Sequence, residues 1–223
     1  MARLTWHLPQ LCLITPDGAS LSSAATIIEQ AIAGGVTMIQ IRSKSLPNAQ
    51  RFQLARIAQE IAQGRAIILY NGALSDLPHL SCPSIGLHFS DGHSDIEHAR
   101  AVLGPQALFG ISIHDQSSAL QAADAGASYL LFGNVFTTAS HPGRSGQGIQ
   151  ALAALCQAVS CPVLAVGGII PERVPQVCAA GASGIAVISY IWQASAPRHA
   201  ATELINALHV ACRHHFPFPH AHN

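Results

Sequence analysis

Residues 162–189 read PVLAVGGIIPERVPQVCAAGASGIAVIS. A short apolar run stops at Gly167-Gly168, an amphipathic segment follows up to Gly181, and a second apolar run ends at Ser189. This order predicts a strand, a glycine turn, a helix, a second strand and the start of another helix. Bare glycine amides and a helix N-terminus attract anions, because unpaired N–H donors and the helix dipole both point at the ligand. We therefore predict that Gly167, Gly168, Ile188 and Ser189 bind a phosphate group.

The same alternation of apolar runs and helix-like segments repeats along the whole chain. Strands are predicted at 11–14, 36–41, 66–70, 84–89, 107–112, 128–132, 162–166 and 184–187. Helices are predicted at 20–33, 47–64, 73–77, 95–103, 117–125, 149–159, 171–180 and 192–212. Eight such units favour a single-domain α/β fold, a closed (β/α)8 TIM barrel, over an open doubly wound sheet, because no dinucleotide fingerprint follows the first strand. We assign an N-terminal segment 1–10, the barrel 11–212 and a flexible, His- and Pro-rich tail 213–223.

Composition narrows the classes of function. The 223 residues are 49% hydrophobic and 10% charged, and 11 Lys and Arg balance 11 Asp and Glu. A chain without net charge is not expected to bind nucleic acid or a membrane surface non-specifically. No apolar stretch reaches about 18 residues, and the N-terminus MARLTWHLPQ lacks the features of a secretion signal. The six cysteines form no CxxC pair, which predicts free thiols in a cytoplasmic protein.

Three polar side chains lie around the end of the predicted second strand. Gln40, Arg42 and Lys44 alternate with other residues, so they share one face of the strand. Because (β/α)8 barrels carry their active sites at the C-terminal ends of the strands, we expect these side chains in the barrel mouth. The pattern predicts a clamp for an anion and a heterocycle, in which Arg42 supplies a planar fork and Lys44 a mobile charge. The alternative is a solvated strand end with surface charges.

Other candidates stand at the ends of later strands. Asn71 ends the third strand, although Asn-Gly is also a common turn pair. His88 and His114 lie near the ends of the fourth and fifth strands, where each can also be a packing residue. The run 133–143 after the sixth strand combines hydroxyls, an amide, an imidazole and glycines. It predicts a substrate loop, with an ordinary polar surface loop as the alternative.

Taken together, these motifs resemble one family, the thiamine phosphate synthase and TenI superfamily. The resemblance covers nearly the whole chain, from Leu13 to about Leu208. It is carried by GGVTMIQIRSK (34–44), ILYNG (68–72), IGLHF (85–89), GISIH (110–114), GASYLLFGNVFTTASHPG (126–143), PVLAVGGI (162–169) and AGASGIAVIS (180–189). Each motif alone is weak, whereas seven in the right order are specific. The family fold is a (β/α)8 barrel, in agreement with the independent count of strands and helices.

The resemblance also implies roles for individual residues. In the synthases, the positions of Gln40, Arg42, Lys44 and Asn71 hold a pyrimidine diphosphate, and that of Ser112 lies near the diphosphate. The positions of Thr138 and Ser140 lie at the thiazole end, and those of Gly168, Ile188 and Ser189 cradle the thiazole phosphate.

Departures from the synthase pattern point towards the TenI branch. Synthases read Asn-Asp-Arg after the third strand, where this chain reads Asn71-Gly72-Ala73, so a magnesium ligand is missing. His93 stands where a second ligand is expected, and His141 replaces the loop lysine of the synthases. TenI-type members are thiazole tautomerases that need no metal. Their characterised pattern has a histidine where this chain has Asn134, so His141 or His114 would have to be the base.

We therefore expect an enzyme of thiamine biosynthesis that binds a phosphorylated thiazole, a metal-independent TenI-like tautomerase. Arg42 and Lys44 would hold the carboxylate, His141 would shuttle the proton, and Asn134 occupies the position of the tautomerase base. No cofactor is expected, with Mg²⁺ only for a true synthase. The alternatives are a diverged synthase that couples the pyrimidine diphosphate to the thiazole phosphate, and a non-catalytic protein that binds a thiazole or thiamine phosphate. A homo-oligomer is left open, and no nucleic-acid or membrane partner is expected.

Overall fold

A computed structural model describes residues 9–43, 45–79, 85–90, 96–138 and 145–212. In this part of the chain, eight parallel strands follow one another around a closed barrel. The strands are β1 (Gln10–Ile14), β2 (Met38–Ile41), β3 (Ile67–Asn71), β4 (Ile85–Phe89), β5 (Phe109–Ile113), β6 (Tyr129–Gly133), β7 (Val163–Val166) and β8 (Gly184–Val187). The predicted (β/α)8 TIM barrel is therefore confirmed.

Helices alternate with the strands and surround the barrel. They are α1 (Leu21–Ala33), α2 (Asn48–Ala62), α3 (Ile96–Leu103), α4 (Gln116–Asp124), α5 (Ile149–Ala158), α6 (Val174–Ala179), α7 (Ser189–Trp192) and α8 (Pro197–Cys212). Short 3₁₀ turns at Leu74–His79 and Pro171–Arg173 complete the connections. Because each strand is parallel to the next, all strand C-termini meet at one end of the barrel.

The barrel closes where β1 pairs with β8, with Leu13 opposite Val187. Alternating residues of each strand form two apolar layers. One lies inside the barrel and includes Met38, Leu69 and Leu164, and the other lies between the strands and the helices. Burying a Leu or Ile side chain contributes about 1.5–3 kcal/mol, so the two layers supply most of the driving force for this arrangement.

The first and last helices pack against each other. α1 begins after Ser20, whose hydroxyl accepts a hydrogen bond from the Ser23 N–H at 3.2 Å. It ends at Gly34, where an added Cβ would overlap Ala201 and the carbonyl oxygen of Arg198 on α8. The glycine therefore lets the C-terminal helix approach the N-terminal one closely.

Two predicted helices differ from those observed. The prediction of one unbroken helix over 192–212 is wrong, because α7 ends at Trp192 and α8 begins at Pro197. Proline has no N–H and clashes with the carbonyl four residues earlier, so it starts a helix rather than continuing one. The helix expected at 73–77 is instead the 3₁₀ turn Leu74–His79, which contains Pro78. Among the described helices, none is both long and apolar enough to cross a bilayer.

Candidate active site

A cavity of about 1160 Å³ opens at the C-terminal ends of the strands. It brings together every predicted site residue that the structure describes. These residues are Gln40, Arg42, Asn71, Ser112, His114, Asn134, Thr138, Gly167, Gly168, Ile188 and Ser189. Lys44, Ser140 and His141 lie outside the described residues, as does His93.

Strand β2 and the residue after it supply the predicted clamp. Gln40 is buried inside the barrel mouth, and the Arg42 side chain is 27% exposed. Thr15 at the end of β1 holds the Arg42 backbone, since its hydroxyl accepts from the Arg42 N–H at 2.8 Å and donates to the Arg42 carbonyl at 2.6 Å. The Arg42 guanidinium lies 3.5 Å from the Asp17 carboxylate, which also lines the cavity. Neither Thr15 nor Asp17 was predicted as a partner of Arg42.

Below the cavity floor, a network of hydrogen-bonded polar side chains crosses the barrel. His88 Nδ1 lies 2.7 Å from the Tyr129 hydroxyl, and His88 Nε2 lies 2.9 Å from the Ser112 hydroxyl. The Gln40 side chain is hydrogen-bonded to the same Tyr129 hydroxyl. Burial lowers the pKa of His88 to about 3, so its ring is neutral near pH 7. The packing alternative for His88 is thus correct, but its partner Ser112 lies at the cavity.

The neutral ring carries one proton, so one of its nitrogens donates and the other accepts. If the Gln40 amide donates to the Tyr129 hydroxyl, then Tyr129 donates to Nδ1 and Nε2–H donates to the Ser112 oxygen. This order would leave the Ser112 proton available for a ligand oxygen in the cavity.

His114, in contrast to His88, is exposed at the cavity mouth. Its Nδ1 lies 3.1 Å from the Gly133 carbonyl oxygen, which also accepts from Gln147 Nε2 at 3.1 Å. A carbonyl only accepts, so Nδ1 carries the proton and Nε2 of the neutral ring carries the lone pair. Among the described residues that line the cavity, His114 is the only imidazole. Asn134 donates from Nδ2 to the Phe136 carbonyl at 3.2 Å and cannot act as a base.

The predicted phosphate site lies at the ends of β7 and β8. Gly167 and Gly168 have positive φ angles of 99° and 66°, and both line the cavity. A Cβ on Gly167 would overlap Asn134, and one on Gly168 would lie 2.6 Å from the Thr137 carbonyl oxygen. Helix α7 begins at Ser189, so its first N–H groups have no acceptor within the helix.

Arg173 is a cavity residue that the sequence reading missed. Its Nη1 donates to the Gly168 carbonyl at 2.5 Å, and its guanidinium carbon lies 4.7 Å from the centre of the Phe136 ring. The available signal was the charged Glu172-Arg173 pair just after the glycine turn, which we had read only as part of an amphipathic segment.

The described residues do not fit the Mg²⁺ ion that the resemblance implies for synthases. Asp17 is the one carboxylate among the described cavity residues, and it lies beside Arg42. In the described ranges, no group of three His, Cys, Asp or Glu side chains could hold a metal. At Gly72, a Cβ would overlap the Tyr70 ring and the Asp76 carboxylate, so the local packing leaves no room for an aspartate. Magnesium prefers several oxygen ligands, which this donor set does not provide.

Comparison with known proteins decides the family. The sequence pattern described as thiamine monophosphate synthase matches residues 11–191. The chain belongs to the thiamine monophosphate synthase family. Within this family, it is 34% identical over 175 residues to thiamine-phosphate synthase 2 of Streptococcus pneumoniae, covering 78% of this chain and 83% of that protein. It is 32% identical to the thiamine-phosphate synthase of Haloquadratum walsbyi, covering 91% of this chain and 92% of that one.

A solved family structure has the same architecture. The thiamine phosphate pyrophosphorylase from Pyrococcus furiosus superposes with a TM-score of 0.76 at 27% identity, over 91% of this chain and 96% of that one. The superfamily resemblance and the place in thiamine biosynthesis are therefore confirmed. These relatives support the synthase alternative better than the tautomerase that the sequence departures led us to expect.

Proposed function

We propose that this protein is a thiamine phosphate synthase, which joins a pyrimidine diphosphate to a thiazole phosphate. The observation that supports the proposal is that the wall of a single cavity contains two groups of residues that could donate hydrogen bonds to anions. One group is Arg42 with its polar neighbours at β2–β5, and the other is the glycine turn and helix start at β7 and β8. The cavity volume of about 1160 Å³ exceeds the roughly 300–1,000 Å³ that is usual for one small ligand, which suits two substrates.

The pyrimidine diphosphate fits the end formed by β2 to β5. The Arg42 guanidinium presents a planar fork to the diphosphate oxygens. Asn71 accepts from the Ser90 hydroxyl at 3.0 Å through Oδ1, so its amide N–H groups remain for the pyrimidine ring. Ser112 faces the same space, and its hydroxyl lies 2.9 Å from His88 Nε2.

The reaction then requires one bond to break and one to form. The bond between the pyrimidine methylene carbon and the diphosphate oxygen breaks, and its electron pair leaves with the diphosphate. The thiazole nitrogen gives its lone pair to the methylene carbon. Negative charge grows on the departing oxygen, so the Arg42 guanidinium and the Ser112 hydroxyl stabilise the transition state more than the bound substrate. The glycine turn holds the thiazole phosphate in place for attack.

Thiazole tautomerisation is the second candidate. It is favoured by His114, whose Nε2 lone pair lies at the cavity, and by the lack of a carboxylate at Gly72. In that reaction His114 would take a proton from one ring position of the thiazole carboxylate phosphate and return it to another ring position, so that the ring double bonds shift and no group is lost. The non-catalytic binding protein remains the third hypothesis, because Asn134 cannot take that role.

Two assays on the purified chain separate these functions. In the first, pyrimidine diphosphate and thiazole phosphate are supplied with Mg²⁺ or with EDTA, and thiamine phosphate is measured by chromatography. In the second, thiazole carboxylate phosphate is supplied alone in D₂O, and isomerisation and deuterium uptake are followed by NMR. We expect thiamine phosphate in the first assay and lower turnover for Ser112→Ala, with His199→Gln, an exposed position on α8 that does not line the cavity, as the control.

Each hypothesis has its own contradicting result. If no thiamine phosphate forms with or without Mg²⁺ while the thiazole isomerises, the protein is a tautomerase, and His114→Gln should abolish the isomerisation. If calorimetry detects binding of thiazole phosphate but neither assay shows turnover, the protein is a binder.

A further inference from the structure

We infer that Arg173 binds the negatively charged phosphoryl group, so that the site selects a phosphorylated thiazole over the free alcohol. The inference rests on the proposed function, because it takes the glycine turn as the place where the thiazole phosphate binds. Arg173 lies in the 3₁₀ turn after β7 and lines the cavity together with Gly167 and Gly168. It is half-buried.

Two contacts fix the orientation of the guanidinium. Nη1 donates to the Gly168 carbonyl at 2.5 Å, and the group lies over the Phe136 ring with 4.7 Å between the guanidinium carbon and the ring centre. Such stacking favours a cation. A guanidinium has five N–H donors in a rigid fork, and only one is used by Gly168. The other donors can serve a ligand without rotation of the side chain.

The charge balance of the cavity supports an anion at this place. Three described residues of its wall are Asp or Arg, namely Asp17, Arg42 and Arg173. Asp17 lies with Arg42, whereas in the described ranges no carboxylate forms an ion pair with Arg173. A phosphate monoester carries about two negative charges near pH 7, and hydrogen bonds between ionised partners are roughly twice as strong as neutral ones. The thiazole alcohol has no negative charge and therefore cannot form such a hydrogen bond between ionised groups.

Calorimetry with two ligands tests the inference. Wild type and Arg173→Met are titrated with thiazole phosphate and with the unphosphorylated thiazole alcohol. We expect Arg173→Met to weaken binding of the phosphate about tenfold to hundredfold, and binding of the alcohol by less than about twofold. Arg173→Lys keeps the positive charge but lacks the planar fork, so its affinity for thiazole phosphate should lie between those of wild type and Arg173→Met.

Arg100 offers a matched control. It lies over Phe109 at 5.1 Å and donates to the Pro105 and Gly126 carbonyls at 3.1 and 2.7 Å, but it does not line the cavity. Arg100→Met removes the same kind of stacking and backbone contact, and it should leave both affinities unchanged.

The possible results are distinct. If wild type does not bind thiazole phosphate, the proposed function fails. If wild type binds it and Arg173→Met binds it equally well, the inference fails and the proposed function stands. If Arg173→Met weakens the binding of both ligands to the same extent, Arg173 only supports the glycine turn and does not recognise the phosphate charge. Circular dichroism confirms folding, and if the Met variant does not fold, the ratio of the two affinities in Arg173→Lys decides.

Discussion

His88 Nε2 lies 2.9 Å from the Ser112 hydroxyl, so a fully buried imidazole on β4 contacts a cavity hydroxyl on the neighbouring strand β5. The imidazole is neutral because burial lowers its pKa to about 3. Its other nitrogen binds Tyr129, and the contact therefore links the interior of the barrel to the candidate site.

Stability should fall with acid because of His88. Its folded pKa of about 3 lies below the unfolded value of about 6.5, so the unfolded chain binds a proton that the folded chain does not. The contribution is fully present above about pH 6.5 and is lost progressively as the pH falls towards 3, by up to about 1.4 kcal/mol per pH unit. Urea unfolding between about pH 7 and pH 4 measures this slope.

Two variants check the origin of that slope. His88→Gln should lower stability at neutral pH and flatten the dependence over this range. His199→Gln changes a side chain that is 75% exposed, and it should keep the wild-type slope. Equal slopes in His88→Gln and wild type would show that another group is responsible.

Turnover should depend on the hydrogen-bonded residues Tyr129, His88 and Ser112 as a unit. Ser112→Ala should lower kcat about tenfold to hundredfold because it removes a donor to the leaving oxygen. Tyr129→Phe leaves Ser112 in place but removes the hydrogen-bond partner of His88 Nδ1, so it should lower kcat by less, with little change in KM. The double variant should be no slower than Ser112→Ala. Multiplied effects in the double variant would mean that Tyr129 acts independently of Ser112.

Gly110 should tolerate no side chain while Tyr129 is present. A Cβ at Gly110 would overlap the Tyr129 ring and hydroxyl. Gly110→Ala should therefore reduce the free energy of unfolding by about 1–3 kcal/mol, as overpacking usually does. In a Tyr129→Leu background the same substitution should cost clearly less, as a double-mutant cycle by urea unfolding would reveal. Equal costs in both backgrounds would contradict this contact.

Asp17 should compete with the substrate for Arg42. The two charges lie 3.5 Å apart, and both side chains are partly exposed, so the pair contributes about 0–1 kcal/mol to stability. Asp17→Asn should leave the unfolding free energy nearly unchanged and tighten binding of the pyrimidine diphosphate. Glu29→Gln, which removes an exposed carboxylate on α1 that does not line the cavity, is the control and should not alter that affinity. Weaker diphosphate binding in Asp17→Asn would indicate that Asp17 instead holds Arg42 in its binding position.

Local sequence patterns were enough to predict most of the fold and many of the residues at the candidate site. The alternation of strands and helices, and the period of two that placed Gln40 and Arg42 at the mouth, act within a few residues and can be read from one segment. Thr15 holds the backbone of Arg42 from 27 positions away, and Tyr129 reaches His88 from 41 positions away. No window of sequence contains both members of such a pair.

The barrel, the strand ends that bear polar groups and the glycine turn at Gly167 and Gly168 could be predicted from local patterns, because these features depend on short-range backbone preferences. The contacts among those groups could not be predicted in this way. Closure of the barrel brings β2, β4, β5 and β6 within reach of one another and buries His88. It also places Arg173 at the glycine turn. The partners, the burial and therefore the charge of each group follow from packing between distant segments.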